Sequence, residues 1–318
     1  MNYDYEYDFE SFKDIKPYLM SNSFQIFEKS LYNAFPKFKE DAPLHYNEDG
    51  FLIKEKMHLG EFVSESENKN SPIIYKINKH GFRSDQFKKF EPENTNILFL
   101  GCSFTSGVGL PENLIWKSFM LNEMEKKFDN IVSYNLGVQG HSIHNCVNNF
   151  RVFIDKYGKP DYVFALFPGI ERFTLYNAEQ KYFVKVNATS WKGLKDSYPK
   201  FVSDYVKKIS TEDLIFSAIH SLHMLETICN QIGIKLIWSS WNQAQSKIFN
   251  EIDFKNFIEV EYPQRINLSK EFDTVPYYGE NIDNLPYWNI ARDLSHPGSG
   301  YHKIISKNFL QKFYINDL

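Results

Sequence analysis

From residue 97 onward, short apolar runs alternate with longer amphipathic stretches. Runs of strand length stand at 97–101 (ILFLG), 131–137 (IVSYNLG), 162–167 (YVFALF) and 234–240 (IKLIWSS), each bounded by Gly, Pro or polar residues. Between the first two, residues 113–127 carry Leu114, Phe119, Leu121 and Met124 at helical spacing, continued by Phe128. Residues 214–232 do the same ahead of the fourth run. Strand-length runs separated by helices are the sequence form of βαβ units, so the pattern predicts a parallel sheet covered by helices on both faces. A closing helix is expected over 298–313, with Ile304, Ile305, Phe309, Leu310 and Phe313 on its apolar side.

Upstream the pattern is different. Residues 1–90 have no sustained period: an aromatic and acidic start, an expected helix near 23–35, then turn signals at Asn47-Glu48-Asp49-Gly50 and His80-Gly81. The stretch IIYKINKHGFRSDQF (73–87) places β-branched and aromatic residues on both sides of a polar turn, which predicts short strands leading into the main domain. The chain therefore divides into an N-terminal extension (1–90) packed on a main domain (91–318). Residues 176–210 and 249–288 are aromatic and irregular. They follow the third and fourth strands, where substrate loops sit in open α/β folds.

Composition narrows the function classes. With 318 residues, 42% hydrophobic and 17% aromatic, the chain has ample apolar surface for a core and is not disordered. A net charge of -4 without a Lys/Arg stripe argues against a nucleic-acid partner. Cys102, Cys146 and Cys229 are an odd number without paired spacing, which implies neither a disulfide framework nor a zinc site. The acidic start MNYDYEYDFESF is unlike a secretory signal, and no run of about 18 apolar residues would span a bilayer. The default expectation is a cytoplasmic protein, with export by another route left open.

The candidate chemistry begins at 96–109, NILFLGCSFTSGVG. An apolar run that stops in Gly101-Cys102-Ser103 can hold a serine hydroxyl at the sheet edge, beside the amides of the next helix. Such a hydroxyl needs a base, itself oriented by a third group. Asp293-Leu294-Ser295-His296-Pro297 supplies an imidazole and a carboxylate close together. Taken singly, Ser103 also reads as a helix cap and Asp293 as a turn residue. A third feature favours catalysis: in Asn135-Leu136-Gly137-Val138-Gln139-Gly140 two glycines follow a strand, and Gly140 is the expected oxyanion donor while Gly137 packs. The same spacing imitates a dinucleotide loop, but no acidic residue closes a following strand to bind a ribose.

These blocks resemble those of the SGNH, or GDSL-like, hydrolase superfamily over residues 97–313. GCSFTSGVG is similar to the nucleophile block and implies Ser103 as nucleophile, with its own amide as one oxyanion donor. NLGVQGHS resembles the block whose glycine, here Gly140, gives a second. DLSHP resembles the terminal block and implies His296 as base with Asp293 as its partner. The segment KINKHGFRS, with Arg83, resembles a lead-in seen in some members and has no assignable chemical role. The implied fold is a three-layer α/β/α sandwich with a flavodoxin-like sheet.

Two departures stand out. Cys102 occupies the place of an Asp outside the triad and reads as packing. Ile170, in Phe167-Pro168-Gly169-Ile170-Glu171-Arg172, occupies the place of the Asn that would be a third oxyanion donor. Arg172 is the candidate substitute, through the oxyanion or an anionic substrate, or else it pairs with Glu171. His141 and His144 lack a third metal ligand and read as polar edge residues. Trp238 is expected in the core; Trp241 either lines a substrate pocket or packs. Arg292 balances charge beside Asp293. The resemblance implies a serine esterase acting on a small-molecule or glycan ester without metal or organic cofactor. A carbohydrate O-acyltransferase using the same triad, or an impaired binding module, are the alternatives, and neither acyl chain nor oligomeric state is set by the sequence.

Overall fold

The computed structural model describes residues 50–55, 73–177, 182–188, 200–260 and 296–316. Four parallel strands form its centre: β3 (Thr95–Gly101), β4 (Ile131–Asn135), β5 (Tyr162–Phe167) and β8 (Lys235–Ser240), in the spatial order β4-β3-β5-β8. Ahead of them β1 (Gly50–Glu55) and β2 (Ile73–Asn78) pair antiparallel.

Side chains alternate across these strands, and both faces are buried. Leu98, Leu100, Val163, Ala165, Phe167, Leu236 and Trp238 enter one core, whereas Ile97, Phe99, Phe164, Leu166 and Ile237 enter the other. The first core is closed by α3 (Ile143–Tyr157), through Cys146, Val147, Phe150 and Phe153, and by α5 (Thr211–Ile232), through Ala218, Leu222, Leu225 and Cys229. The second is closed by α2 (Trp116–Met124) and α7 (Ser299–Asn316), with Trp116 stacked on Phe309 at 5.0 Å between ring centres. Each fully buried Phe contributes about 2 kcal/mol. This is the expected three-layer α/β/α architecture with a mostly parallel sheet.

Helix boundaries follow local chemistry. Ser142 and Ser210 cap α3 and α5, each in a reciprocal box with the residue three positions on (Asn145 and Asp213), and Gly233 ends α5 in the left-handed region at φ 71°. The strand expected over 131–137 ends at Asn135, where the Asn135 side-chain carbonyl accepts the Gly137 N–H at 2.8 Å; the chain beyond stays beside β3, with Leu136 N–H donating to the Phe99 carbonyl at 2.8 Å. The helix expected over 113–127 is split: a 3-10 turn over Glu112–Leu114 precedes α2.

Part of the stretch 176–210 is regular where irregular chain was expected. β6 (Arg172–Asn177) and β7 (Tyr182–Asn187) form an antiparallel hairpin, α4 (Lys200–Val206) follows, and α6 (Gln243–Glu251) comes after β8. The expected helix near 23–35 lies outside the described residues. Among the described residues no helix is long and apolar enough to cross a membrane.

The strand order fixes where a ligand would go. In chain order the parallel strands run second-first-third-fourth, so the connections leave β3 and β5 toward opposite faces. A crevice opens beyond the carboxyl ends of these two strands.

Candidate active site

At the carboxyl end of β3 the chain turns within two residues into the single-turn α1 (Ser103–Ser106). The turn demands glycine at 101: its φ is 153°, and a Cβ there would overlap the Thr105 side chain and the Leu166 carbonyl. Cys102 is fully buried beneath the turn and packs there, as expected. Its carbonyl accepts the Thr105 and Ser106 amides at 3.1 and 2.9 Å. The Ser103 amide, two residues before Thr105, has no partner among the described residues. Ser103 itself is 3% exposed, and the hydrogen-bond neighbour of its hydroxyl is the Cys102 sulfur at 3.9 Å, a weak contact.

The loop after α1 is held by Arg83, whose role was not legible in the sequence. The buried guanidinium donates through Nη1 to the Ser106 and Gly107 carbonyls at 3.1 and 2.6 Å, and through Nη2 to the Leu110 carbonyl at 2.9 Å. It lies 4.3 Å over the Tyr75 ring and is ion-paired at 2.8 Å with Glu112, which also pairs with Lys117. Tyr75 accepts the Gly109 amide at 2.8 Å. The segment 73–83 thus clamps the chain that follows the serine.

The loop after β4 runs beside the same turn. Val138 N–H donates to the Gly101 carbonyl at 3.2 Å, and the Asn135 amide group donates to the Thr105 carbonyl at 2.9 Å. Gly137 is the packing glycine: a Cβ would collide with the backbone of Thr105 and Ser106. Gly140 is exposed, with φ 69°, and among the described residues its N–H has no hydrogen-bond partner. Lys185 of β7 lies against it, Cδ 3.4 Å from where a Gly140 Cβ would stand, and donates through Nζ to the Gln139 carbonyl at 2.8 Å. Burial first, and the Arg172 charge second, lower the Lys185 ammonium to about 7.

His296 reaches this crevice from the start of α7. Its ring meets Phe104, the residue after Ser103, edge-on at 5.9 Å between ring centres. Phe104 also stacks on Trp241 at 5.0 Å, and the Arg172 guanidinium stands 5.4 Å over the Trp241 ring. Trp241 and Phe104 are partly buried, packed against the second core. Ser103, His296, Arg172 and Trp241 are thus linked through Phe104, which the sequence reading had not singled out. Asp293 and Arg292 lie outside the described residues.

Glu171 is engaged by Gln245, whose side-chain amide donates to it at 3.2 Å, and among the described residues Arg172 forms no ion pair. Ile170 packs against the core and offers no polar atom. A cavity of about 120 Å³ beside Arg172 is bordered by Ile143, Ile170, Phe173, Thr174 and Leu214.

The remaining candidates fall in the scaffold. Trp238 is fully buried and donates from its indole to Glu226 at 2.9 Å. His141, expected at a polar edge, is instead fully buried, because the chain turns inward there to start α3; His144 is exposed on that helix. Among the described residues no three His, Cys, Asp or Glu side chains gather as a metal site. His302, one turn into α7, is buried and neutral. It accepts the Trp116 amide at 3.1 Å, and burial, with the nearby His296 and Arg83, pushes it down to about 3.

No protein-family model matches the chain, and no curated protein is similar to it in sequence. Among solved structures it is similar to a psychrotrophic esterase from Pseudoalteromonas sp. inhibited by monoethylphosphonate, at 13% identity and TM-score 0.38, covering 70% of this chain and 100% of that one. It is similar also to an alpha/beta hydrolase enzyme from the metagenome of Lake Arreo, at 14% identity and TM-score 0.39, covering 71% of this chain and 95% of that one. A third is a member of the lipolytic G-D-S-L family from Veillonella parvula, at 14% identity and TM-score 0.29, covering 69% and 98%.

Proposed function

We propose that this chain is a serine hydrolase of the SGNH, or GDSL-like, type that cleaves an acyl or acetyl ester of a small molecule or glycan. The observation that carries the reading is the position of Ser103: first residue of a forced strand-to-helix turn, at the crevice where the strand order reverses, one residue from the ring that His296 contacts. Ser103 attacks the ester carbonyl while His296 takes its proton, and Asp293 holds the imidazole in the required tautomer. The tetrahedral oxyanion is received by the Ser103 and Gly140 amides. Collapse expels the alcohol, which takes the proton from His296. Water, deprotonated by the same base, then releases the acid and restores Ser103.

Arg172 and Trp241 contact the substrate or the oxyanion from the opposite wall. One observation favours a second reading, a binding module on the same scaffold: Ile170 lacks the donor that the resemblance leads one to expect. Reaction with a fluorophosphonate, read by intact mass with Ser103→Ala as control, separates the two. A single adduct on the natural chain and none on the variant is the expected result. No adduct on a folded protein favours the binding module, and acyl transfer outrunning hydrolysis when a glycan acceptor is added favours an O-acyltransferase.

A further inference from the structure

Lys185 lies outside every block that carries the resemblance, on a hairpin that the sequence pattern did not predict. Its ammonium is bonded to the Gln139 carbonyl oxygen at 2.8 Å. That oxygen and the Gly140 N–H belong to one peptide group. In a trans peptide the C=O and N–H point in opposite directions, so a donor fixed on the oxygen fixes where the N–H is aimed. A cation on the oxygen also draws electron density from the amide and makes its N–H a stronger donor, a cooperative gain of about a tenth to a third in one bond. The lysine stem adds a steric element against Gly140, which at φ 69° has access to more conformations than any other residue type.

We propose that Lys185 is a positioning residue for the oxyanion hole: its ammonium, seated on the Gln139 carbonyl, orients and polarises the peptide that presents the Gly140 N–H. This rests on the hydrolase reading above. It also gives the hairpin a task, since Thr174, opposite Lys185 in β6, donates from its hydroxyl to the Asn145 side chain at 2.8 Å and so ties the hairpin to the start of α3. Among the described residues, the Arg172 guanidinium from β6 and the Cys146 thiol from α3 face the ammonium. Burial holds the thiol far above its ordinary range, so it stays uncharged, and Arg172 is the charge that Lys185 works against. With the ammonium lowered to about 7, the polarising cation is present below neutrality and lost as pH rises through it.

The test uses the full chain and 4-nitrophenyl acetate. Wild-type kcat is expected to fall as pH rises through about 7, as the ammonium gives way to the amine. Lys185→Met keeps a stem against Gly140 and removes the cation. It is expected to lower kcat about tenfold at pH 6.5 with KM unchanged, and to abolish the descending limb. A residue that merely supported the hairpin would move neither the limb nor the split between kcat and KM. A limb that survives in Lys185→Met, or a Lys185→Met variant with wild-type kcat, overturns the proposal. If Lys185→Met does not fold, Lys185→Arg decides: its guanidinium stays charged across this range, so the descending limb is expected to vanish, and a limb that survives overturns the proposal. Failure of the hydrolase reading looks different: the wild type then forms no fluorophosphonate adduct at Ser103, whereas failure of the Lys185 role alone leaves adduct and turnover intact.

Discussion

The carboxyl ends of β3 and β5 are neighbours in the sheet, yet they are specified in different ways. At β3 the backbone itself is the specification. Gly101 fits because nothing larger can pass Thr105 and the Leu166 carbonyl, and Gly137 fits because Thr105 and Ser106 lie against it. At β5 the chain leaves through Pro168 and Gly169 to Ile170, a residue whose side chain joins the core and brings no donor to the crevice. Polar chemistry on that side comes one step later, from Arg172 on the hairpin, braced on Trp241. A steric requirement leaves a residue little freedom, whereas a hydrogen-bonding requirement can be met from any nearby element that reaches the same space.

The largest effect that would sharpen this contrast is chemical. Ser103→Ala is expected to abolish fluorophosphonate labelling and to lower ester hydrolysis by roughly 10⁴-fold or more, while thermal unfolding stays near wild type because the hydroxyl makes only a weak contact. Turnover that survives the change would break the assignment of the β3 turn. Next is Gly101→Ala, which should cost about 3 kcal/mol or more and show as a large fall in the denaturant midpoint or as insoluble protein. A variant of ordinary stability would mean that the turn is not sterically fixed.

On the β5 side, Arg172→Gln should leave stability nearly unchanged and reduce kcat/KM about tenfold, measured with 4-nitrophenyl acetate. No change would return the duty of the missing donor to the backbone amides alone. The smallest effect is expected of Ile170→Asn, which restores the residue type that the resemblance leads one to expect. Because Ile170 packs against the core, the amide should cost about 1 kcal/mol of stability and bring no gain in rate. A clear rate increase would show that the position still faces the crevice.

The same contrast governs how much was legible in the sequence. β3 and β5 announce themselves because both faces are buried, so each reads as an apolar run closed by Gly, Pro or polar residues, whereas β4 at the sheet edge carries Ser133 and is only half-buried over its first three residues. The β3 turn is legible for a related reason: steric demands leave glycines in the chain. The β6–β7 hairpin was not legible, since RFTLYN and YFVKVN alternate only weakly between apolar and polar residues. Lys185 and Arg83 carry no local signature, because each acts on backbone carbonyls of a distant segment, Gln139 for one and Ser106, Gly107 and Leu110 for the other. Phe104 looked like one aromatic among many until the fold set it between Trp241 and His296.

Arg83 also bears on where the working unit begins. A gene fragment starting just after it would encode every strand of the parallel sheet, and would still lack the guanidinium that gathers three carbonyls behind the serine and the Tyr75 hydroxyl that takes the Gly109 amide. The excised piece would also lose the ion pair of Arg83 with Glu112, leaving that carboxylate to Lys117. For recombination, library construction or fusion to another protein, the inheritable module therefore opens no later than Ile73, ahead of the first residue of the sheet.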